Sequence, residues 1–123
     1  MISAAHTLLF AEDADAARAF FRDVLGLDNV DAGDGWLIFA LPPAELGIHP
    51  VNRPDHVSGT LELWFMCHDL ETTIHELEAR GAEFTEPLQE ESFGRYRRFE
   101  IPGVGDAWLY QPKHKSPLAE FSD

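Results

Sequence analysis

His6-Thr7-Leu8-Leu9-Phe10-Ala11-Glu12-Asp13 runs directly into Ala14-Asp15-Ala16-Ala17-Arg18-Ala19-Phe20-Phe21-Arg22-Asp23-Val24-Leu25-Gly26. The two stretches read as a short apolar strand, a cap, a helix and a stop. Asp13 or Asp15 can accept hydrogen bonds from the free N–H groups of the first helical turn, and four alanines favour the helix. Gly26 permits the left-handed turn that ends it. Ala17, Phe20, Phe21, Val24 and Leu25 recur at the spacing of one helix face, which must pack against a sheet.

The same order returns in the second half. Leu61-Glu62-Leu63-Trp64-Phe65-Met66-Cys67 is followed by Asp69, a helical pattern through Ile74 and Leu77, and Gly81. Glu62 precedes Asp69 by seven residues, as His6 precedes Asp13. A strand-helix unit is thus used twice, with a period near half the chain, and His6 and Glu62 become equivalent positions.

Reading outward, the first strand spans 3–11 and places His6, Leu8 and Phe10 on one face. A helix over 14–25 leads into a strand that ends near the turn Ala32-Gly33-Asp34-Gly35. Trp36 to Leu41 is a further strand, bounded by Gly35 and Pro42-Pro43, and Glu45 to Pro50 a short fourth. The second unit repeats this with a strand at 60–67, a helix at 70–80 and strands near 83–85, at 95–101 and at 106–111. The boundaries expected are therefore 1–51 for the first module, 52–59 for a linker, 60–113 for the second module and 114–123 for a tail.

Composition narrows the function classes. The 123 residues, 45% of them hydrophobic, suffice for one domain with a buried core. A formal net charge of −13 would repel nucleic acid or an anionic membrane surface. Cys67 is the only cysteine, so neither an intrachain disulfide nor a four-cysteine zinc site forms, and a reducing cytoplasm is the simplest setting. The start of the chain carries no basic, then long apolar, run of the signal-peptide kind, and no stretch is apolar enough to span a membrane.

With these residues in view, the chain resembles the vicinal oxygen chelate superfamily of glyoxalases, extradiol dioxygenases and bleomycin resistance proteins. The resemblance rests on His6-Thr7-Leu8-Leu9, Asp13, Phe20-Phe21-Arg22-Asp23-Val24-Leu25-Gly26-Leu27, Leu61-Glu62-Leu63 before Asp69, and the closing Leu109-Tyr110-Gln111-Pro112. It implies an α+β fold in which two βαβββ modules form a curved, barrel-like mixed sheet around a cavity, often with a divalent metal, and commonly a homodimer.

The resemblance also implies site residues. His6 matches the family's first-strand histidine, and Glu62 falls where the second module supplies another ligand. The last-strand positions that commonly hold glutamate are Leu46 and Trp108, which bind no metal. His49, beside Pro50, would complete a two-histidine, one-carboxylate set for Fe, Mn, Ni or Zn, although strict alternation turns both His49 and Glu45 away from the face that Leu46 shares with Ile48. Trp64, Met66, Trp108, Phe39 and Tyr96 would line the cavity, although each of these taken singly, and Trp36 with them, reads as core rather than as a ligand contact. Arg95, Arg97 and Arg98 read as a solvated hairpin near Glu90, Glu91 and Glu100.

Two functions lead at this point, beside the blander reading of a regulatory or interaction module whose cavity is unused. One is a divalent-metal-dependent lyase, isomerase or dioxygenase acting on a small substrate with two neighbouring oxygens, which His6 and Glu62 favour. The other is a metal-free protein that sequesters an aromatic antibiotic or metabolite, which Leu46 and Trp108 favour. Both take a small molecule as partner, with neither nucleic acid nor membrane.

Overall fold

In the computed structural model, residues 9, 11, 13–41, 43, 44 and 52–114 are described. Helix α1 spans Ala14–Asp23, and Asp13 caps it by accepting from the Ala16 N–H at 3.0 Å. The helix stops two residues short of the expected end, where the Leu25 N–H bonds back to the Phe20 carbonyl five residues earlier instead of to that of Phe21. Gly26 then takes φ 68°, the left-handed conformation foreseen for it. Strands β1 (Asn29–Asp31) and β2 (Leu37–Phe39) form an antiparallel pair joined by the Gly33-Asp34-Gly35 turn.

The second half is one four-stranded mixed sheet. Its elements are β3 (Trp64–Met66), α2 (Leu70–Ala79), β4 (Glu83–Glu91), β5 (Gly94–Ile101) and β6 (Gly105–Pro112), with strand order β3-β6-β5-β4. The pairing of β3 with β6 is parallel and the other two pairings are antiparallel. Two strand lengths differ from the pattern reading. The expected strand at 60–67 is a ladder of only three residues, flanked by the bonds Trp108 N–H to Leu63 O and Cys67 N–H to Tyr110 O. In contrast, β4 continues far beyond residue 85. A register shift between Thr85 and Gln89 lets the chain pass Pro87, whose missing N–H would otherwise break the ladder.

The core lies between the helices and one face of this sheet. Phe99, Leu70 and Ile101 are fully buried there. Phe99 meets Phe20 of α1 at 6.2 Å, Phe65 of β3 at 6.1 Å and Phe84 of β4 at 5.4 Å between ring centroids. Ala17, Phe20 and Phe21 of α1 and Leu70, Ile74 and Leu77 of α2 are the buried helix positions, which follows from the 3.6-residue period read in the sequence. Arg80, at the end of α2, donates to the Val24 carbonyl at the end of α1. Gly103, in the turn between β5 and β6, sits so close to the Asp13 cap that a Cβ there would lie 2.6 Å from the Asp13 carbonyl oxygen.

Trp36 departs from the core expectation. It is 55% exposed, and the Arg18 guanidinium lies over its ring at 4.7 Å. The cation takes one face of this exposed ring. The expected strands at 3–11 and 45–50 lie, apart from Leu9 and Ala11, outside the described residues, as does the tail beyond His114.

Candidate functional site

Strand alternation decides which side chains leave the core. Phe65, Phe99, Ala107 and Leu109 point to the helices, so their neighbours in the ladder project from the opposite face. Register then aligns these neighbours in rows. Trp64 of β3 is opposite Trp108 of β6, and Trp108 is opposite Arg98 of β5. One step along, Met66 is opposite Tyr110, and Tyr110 is opposite Tyr96.

The result is a continuous aromatic surface. The Trp64 and Trp108 rings stack with centroids 5.1 Å apart and an interplanar angle of 7°. Tyr96 and Tyr110 meet Trp64 edge-on, at 5.1 Å and 61° and at 5.4 Å and 88°. These offset-stacked and edge-to-face arrangements are the favourable ones for ring quadrupoles, about 0.5–1.5 kcal/mol per pair beyond area burial. Phe93, in the turn between β4 and β5, extends the surface by stacking on Tyr96 at 5.9 Å and 13°. Its carbonyl accepts from the Tyr110 hydroxyl at 2.9 Å.

Gly94 makes that closure possible. A Cβ at this position would collide with the Tyr110 ring and lie 2.7 Å from the Gln111 carbonyl oxygen. Tyr110 could therefore not lie flat across the strand if residue 94 carried a side chain.

Charge is placed around the rings. Glu62 is exposed and accepts from the Trp64 indole N–H at 3.1 Å, which holds its carboxylate at the edge of the tryptophan pair. Arg98 lies over Trp108 at 5.6 Å and pairs with Glu86 at 3.2 Å and Asp106 at 3.6 Å. The arginine group does not behave as one solvated hairpin. Because 95 and 97 alternate with 98, Arg95 stands on the helix side, where it bridges Glu71 of α2 and Glu90 of β4, while Arg98 borders the aromatic face. Those two carboxylates hold the Arg95 guanidinium more firmly protonated, the Glu71 hydrogen bond most of all.

The structure thus brings Glu62, Trp64, Trp108 and Tyr96 together, with Met66 on the same face by register. Phe39 stands elsewhere, its ring 5.5 Å from Phe21 and packed against the helix-side core. His6, His49, Glu45 and Leu46 lie outside the described residues. Phe93, Tyr110 and Arg98 were missed as members of the face. Tyr110 and Arg98 carry a readable signal, a two-residue step from Trp108 and from Tyr96, whereas Phe93 reaches the face only through the turn.

A divalent metal needs several carboxylate, imidazole or thiolate ligands at one point. Among the described residues no three His, Cys, Asp or Glu side chains converge in that way. Glu62 has its partner in an indole, and Cys67 is on offer only as a neutral thiol, since burial pushes its pKa up to about 11. The described residues alone therefore do not fit a metal, and a ligand set would depend on His6 and His49.

Comparison with known proteins agrees with this architecture. A family model described as the Glyoxalase/Bleomycin resistance protein/Dioxygenase superfamily matches residues 3–107. The chain is 32% identical, over 123 aligned residues, to a manganese-dependent 2,3-dihydroxybiphenyl 1,2-dioxygenase of Geobacillus genomosp. 3; the match covers 94% of this chain but 38% of that protein. Among solved structures, it is similar to TnmS3, an antibiotic-binding protein from Streptomyces sp. CB03234, with TM-score 0.61 and 24% identity over 92% of this chain and all of that one. It is also similar to a lactoylglutathione lyase from Agrobacterium tumefaciens, with TM-score 0.59 and 21% identity over 85% of this chain and 90% of that one. At such identities the solved structures speak to the fold alone. No described helix is long and apolar enough to cross a membrane.

Proposed function

The chain belongs to the glyoxalase/bleomycin resistance protein/dioxygenase superfamily, and from that premise we propose that it binds a small planar aromatic molecule on the face built by Trp64, Trp108 and Tyr96. The observation that carries this reading is the near-parallel Trp64–Trp108 stack, bordered by Tyr96 and Tyr110 and turned away from the core. Such rings, fixed on strands rather than on loops, offer apolar aromatic contacts at little entropic cost, which suits an aromatic ligand. Trp108 stands where the family commonly places a metal-binding glutamate, so this position supplies ring area in place of a ligand atom.

The test is titration of chelator-treated protein with a dihydroxynaphthalene bearing vicinal hydroxyls, followed by tryptophan fluorescence. Saturable quenching without metal, lost in Trp64→Ala and Trp108→Ala, is the expected result. Absence of quenching in the wild type, with or without added metal, overturns the proposal.

A second reading is favoured by the identity to a manganese-dependent dioxygenase and by the Glu62 carboxylate on the aromatic face. Here His6, Glu62 and His49 would hold a divalent metal, which when bound supplies Lewis acidity towards neighbouring substrate oxygens. The aromatic face would then orient the ring of the substrate. Near-stoichiometric metal in tag-free protein, absent from His6→Ala, together with quenching that requires metal, would favour this reading over the first.

A further inference from the structure

We propose that Asp34, in the turn between β1 and β2, is a site of spontaneous covalent modification, where the chain converts to isoaspartate through a cyclic succinimide. Asp34-Gly35 is the only aspartate-glycine pair in the sequence. It fills the two central positions of a tight hairpin turn, in which the Trp36 N–H donates to the Gly33 carbonyl at 3.0 Å and the Ala32 N–H to the Trp36 carbonyl at 2.9 Å. Asp34 has φ 52° and Gly35 φ 81°, the doubly left-handed backbone of a type I′ turn, which favours this dipeptide. The pair that shapes the ribbon is also the pair that carries the reactivity.

Three features leave that reactivity unrestrained. Asp34 and Gly35 are exposed, and a Cβ on Gly35 would meet nothing within 4 Å, so a ring has room to close. Among the described residues no group accepts from the Gly35 N–H and none donates to the Asp34 carboxylate. Other aspartates are occupied: Asp13, Asp31 and Asp69 accept from backbone N–H groups, and Asp23, Asp55 and Asp106 pair with arginines. Finally, the ribbon is two strands of three residues each, and Asn29–Asp31 is exposed throughout. A two-stranded ribbon of this size opens locally at small cost, which lets the Asp34–Gly35 peptide rotate into reach of the side chain.

In the step itself the Gly35 amide nitrogen loses its proton and attacks Cγ of the Asp34 carboxyl group. A C–N bond forms, the Cγ–OH bond breaks and one water leaves, giving a five-membered imide. Glycine favours the attack because no Cβ crowds the nitrogen or restricts its backbone. Water then adds to one of the two imide carbonyls. Opening at Cγ restores aspartate, whereas opening at the main-chain carbonyl leaves the chain running through Cβ and frees the α-carboxylate. One water leaves and one returns, and nothing is oxidised or reduced. The extra backbone atom no longer fits a two-residue loop, and the adjoining Trp36, whose ring lies under the Arg18 guanidinium at 4.7 Å, moves with it.

The test is incubation of the full chain at neutral pH and physiological temperature for several weeks. Isoaspartate is then measured by methyl transfer from S-adenosylmethionine with an isoaspartate-specific methyltransferase, and located by peptide mapping. Isoaspartate at position 34 is expected to exceed that at any other aspartate severalfold. It should vanish in Asp34→Glu, whose longer side chain closes a larger ring far more slowly. Asp34→Asn, which suits the same turn, should reach the same product severalfold faster and release ammonia. Absence of isoaspartate at position 34 in the wild type, or a yield there no greater than at Asp28 or Asp31, overturns the inference. So does a methylation signal that persists undiminished in Asp34→Glu.

Discussion

Cys67 shows how a single residue takes its chemistry from its surroundings. It follows Met66 at the end of β3, and burial, reinforced by the nearby Asp69 carboxylate and opposed by a hydrogen bond with Thr73, raises its pKa from 9.0 to about 11. The folded state keeps the thiol proton to a higher pH than the unfolded chain does. Above the unfolded value the unfolded state binds fewer protons, so this contribution to stability is complete below pH 9.0 and is lost as pH rises through about 11. Thermal unfolding followed from neutral pH upward should show the loss, and Cys67→Ala should flatten the slope over that range. An unchanged slope in the variant would place the alkaline sensitivity on other groups. Sequence alone identified the cysteine as unpaired; its depth and its neighbours came from the strand register.

At the level of elements, the cap on α2 has two sources. Asp69 accepts from the Thr72 N–H at 3.0 Å, and the Gln111 side chain, arriving from β6, accepts from the Leu70 N–H at 2.9 Å. The first is legible in the sequence as an aspartate before a helical run. The second joins residues 41 positions apart and is visible only once β6 lies beside β3. Asp69→Ala should lower stability by about 1 kcal/mol, whereas Asp69→Asn should retain most of it, by thermal or denaturant unfolding. A loss far below that would mean that Gln111 and water satisfy the helix end unaided. The site follows the same division: Trp64 and Trp108 were recognisable as candidates, but their stack depends on a parallel register that no local pattern encodes.

For the whole molecule, charge is the dominant sequence-level property. A net charge of −13 on 123 residues opposes compaction through self-repulsion. Exposed pairs such as Arg22–Asp23 and Arg53–Asp55 offset this only weakly. Raising ionic strength from about 0.01 to 0.15 M shortens the screening length from roughly 30 to 8 Å, so the thermal midpoint should rise by a few degrees. A fall would show that ion pairs such as those of Arg95 with Glu71 and Glu90 outweigh the repulsion.

The sequence by itself determined both helices, their aspartate caps and the face each buries, because these depend on spacings within about ten residues and on local backbone chemistry, and its motifs carried the superfamily. It also supplied the candidates Glu62, Trp64 and Trp108. Only the tertiary structure decided that Glu62 is held by an indole rather than by an arginine, that Arg95 and Arg98 serve opposite faces, that Phe39 joins the core, and that Tyr110 closes over Gly94. Each of these turns on strand register, and register is set by long-range pairing, where a shift of one residue moves every side chain to the other face.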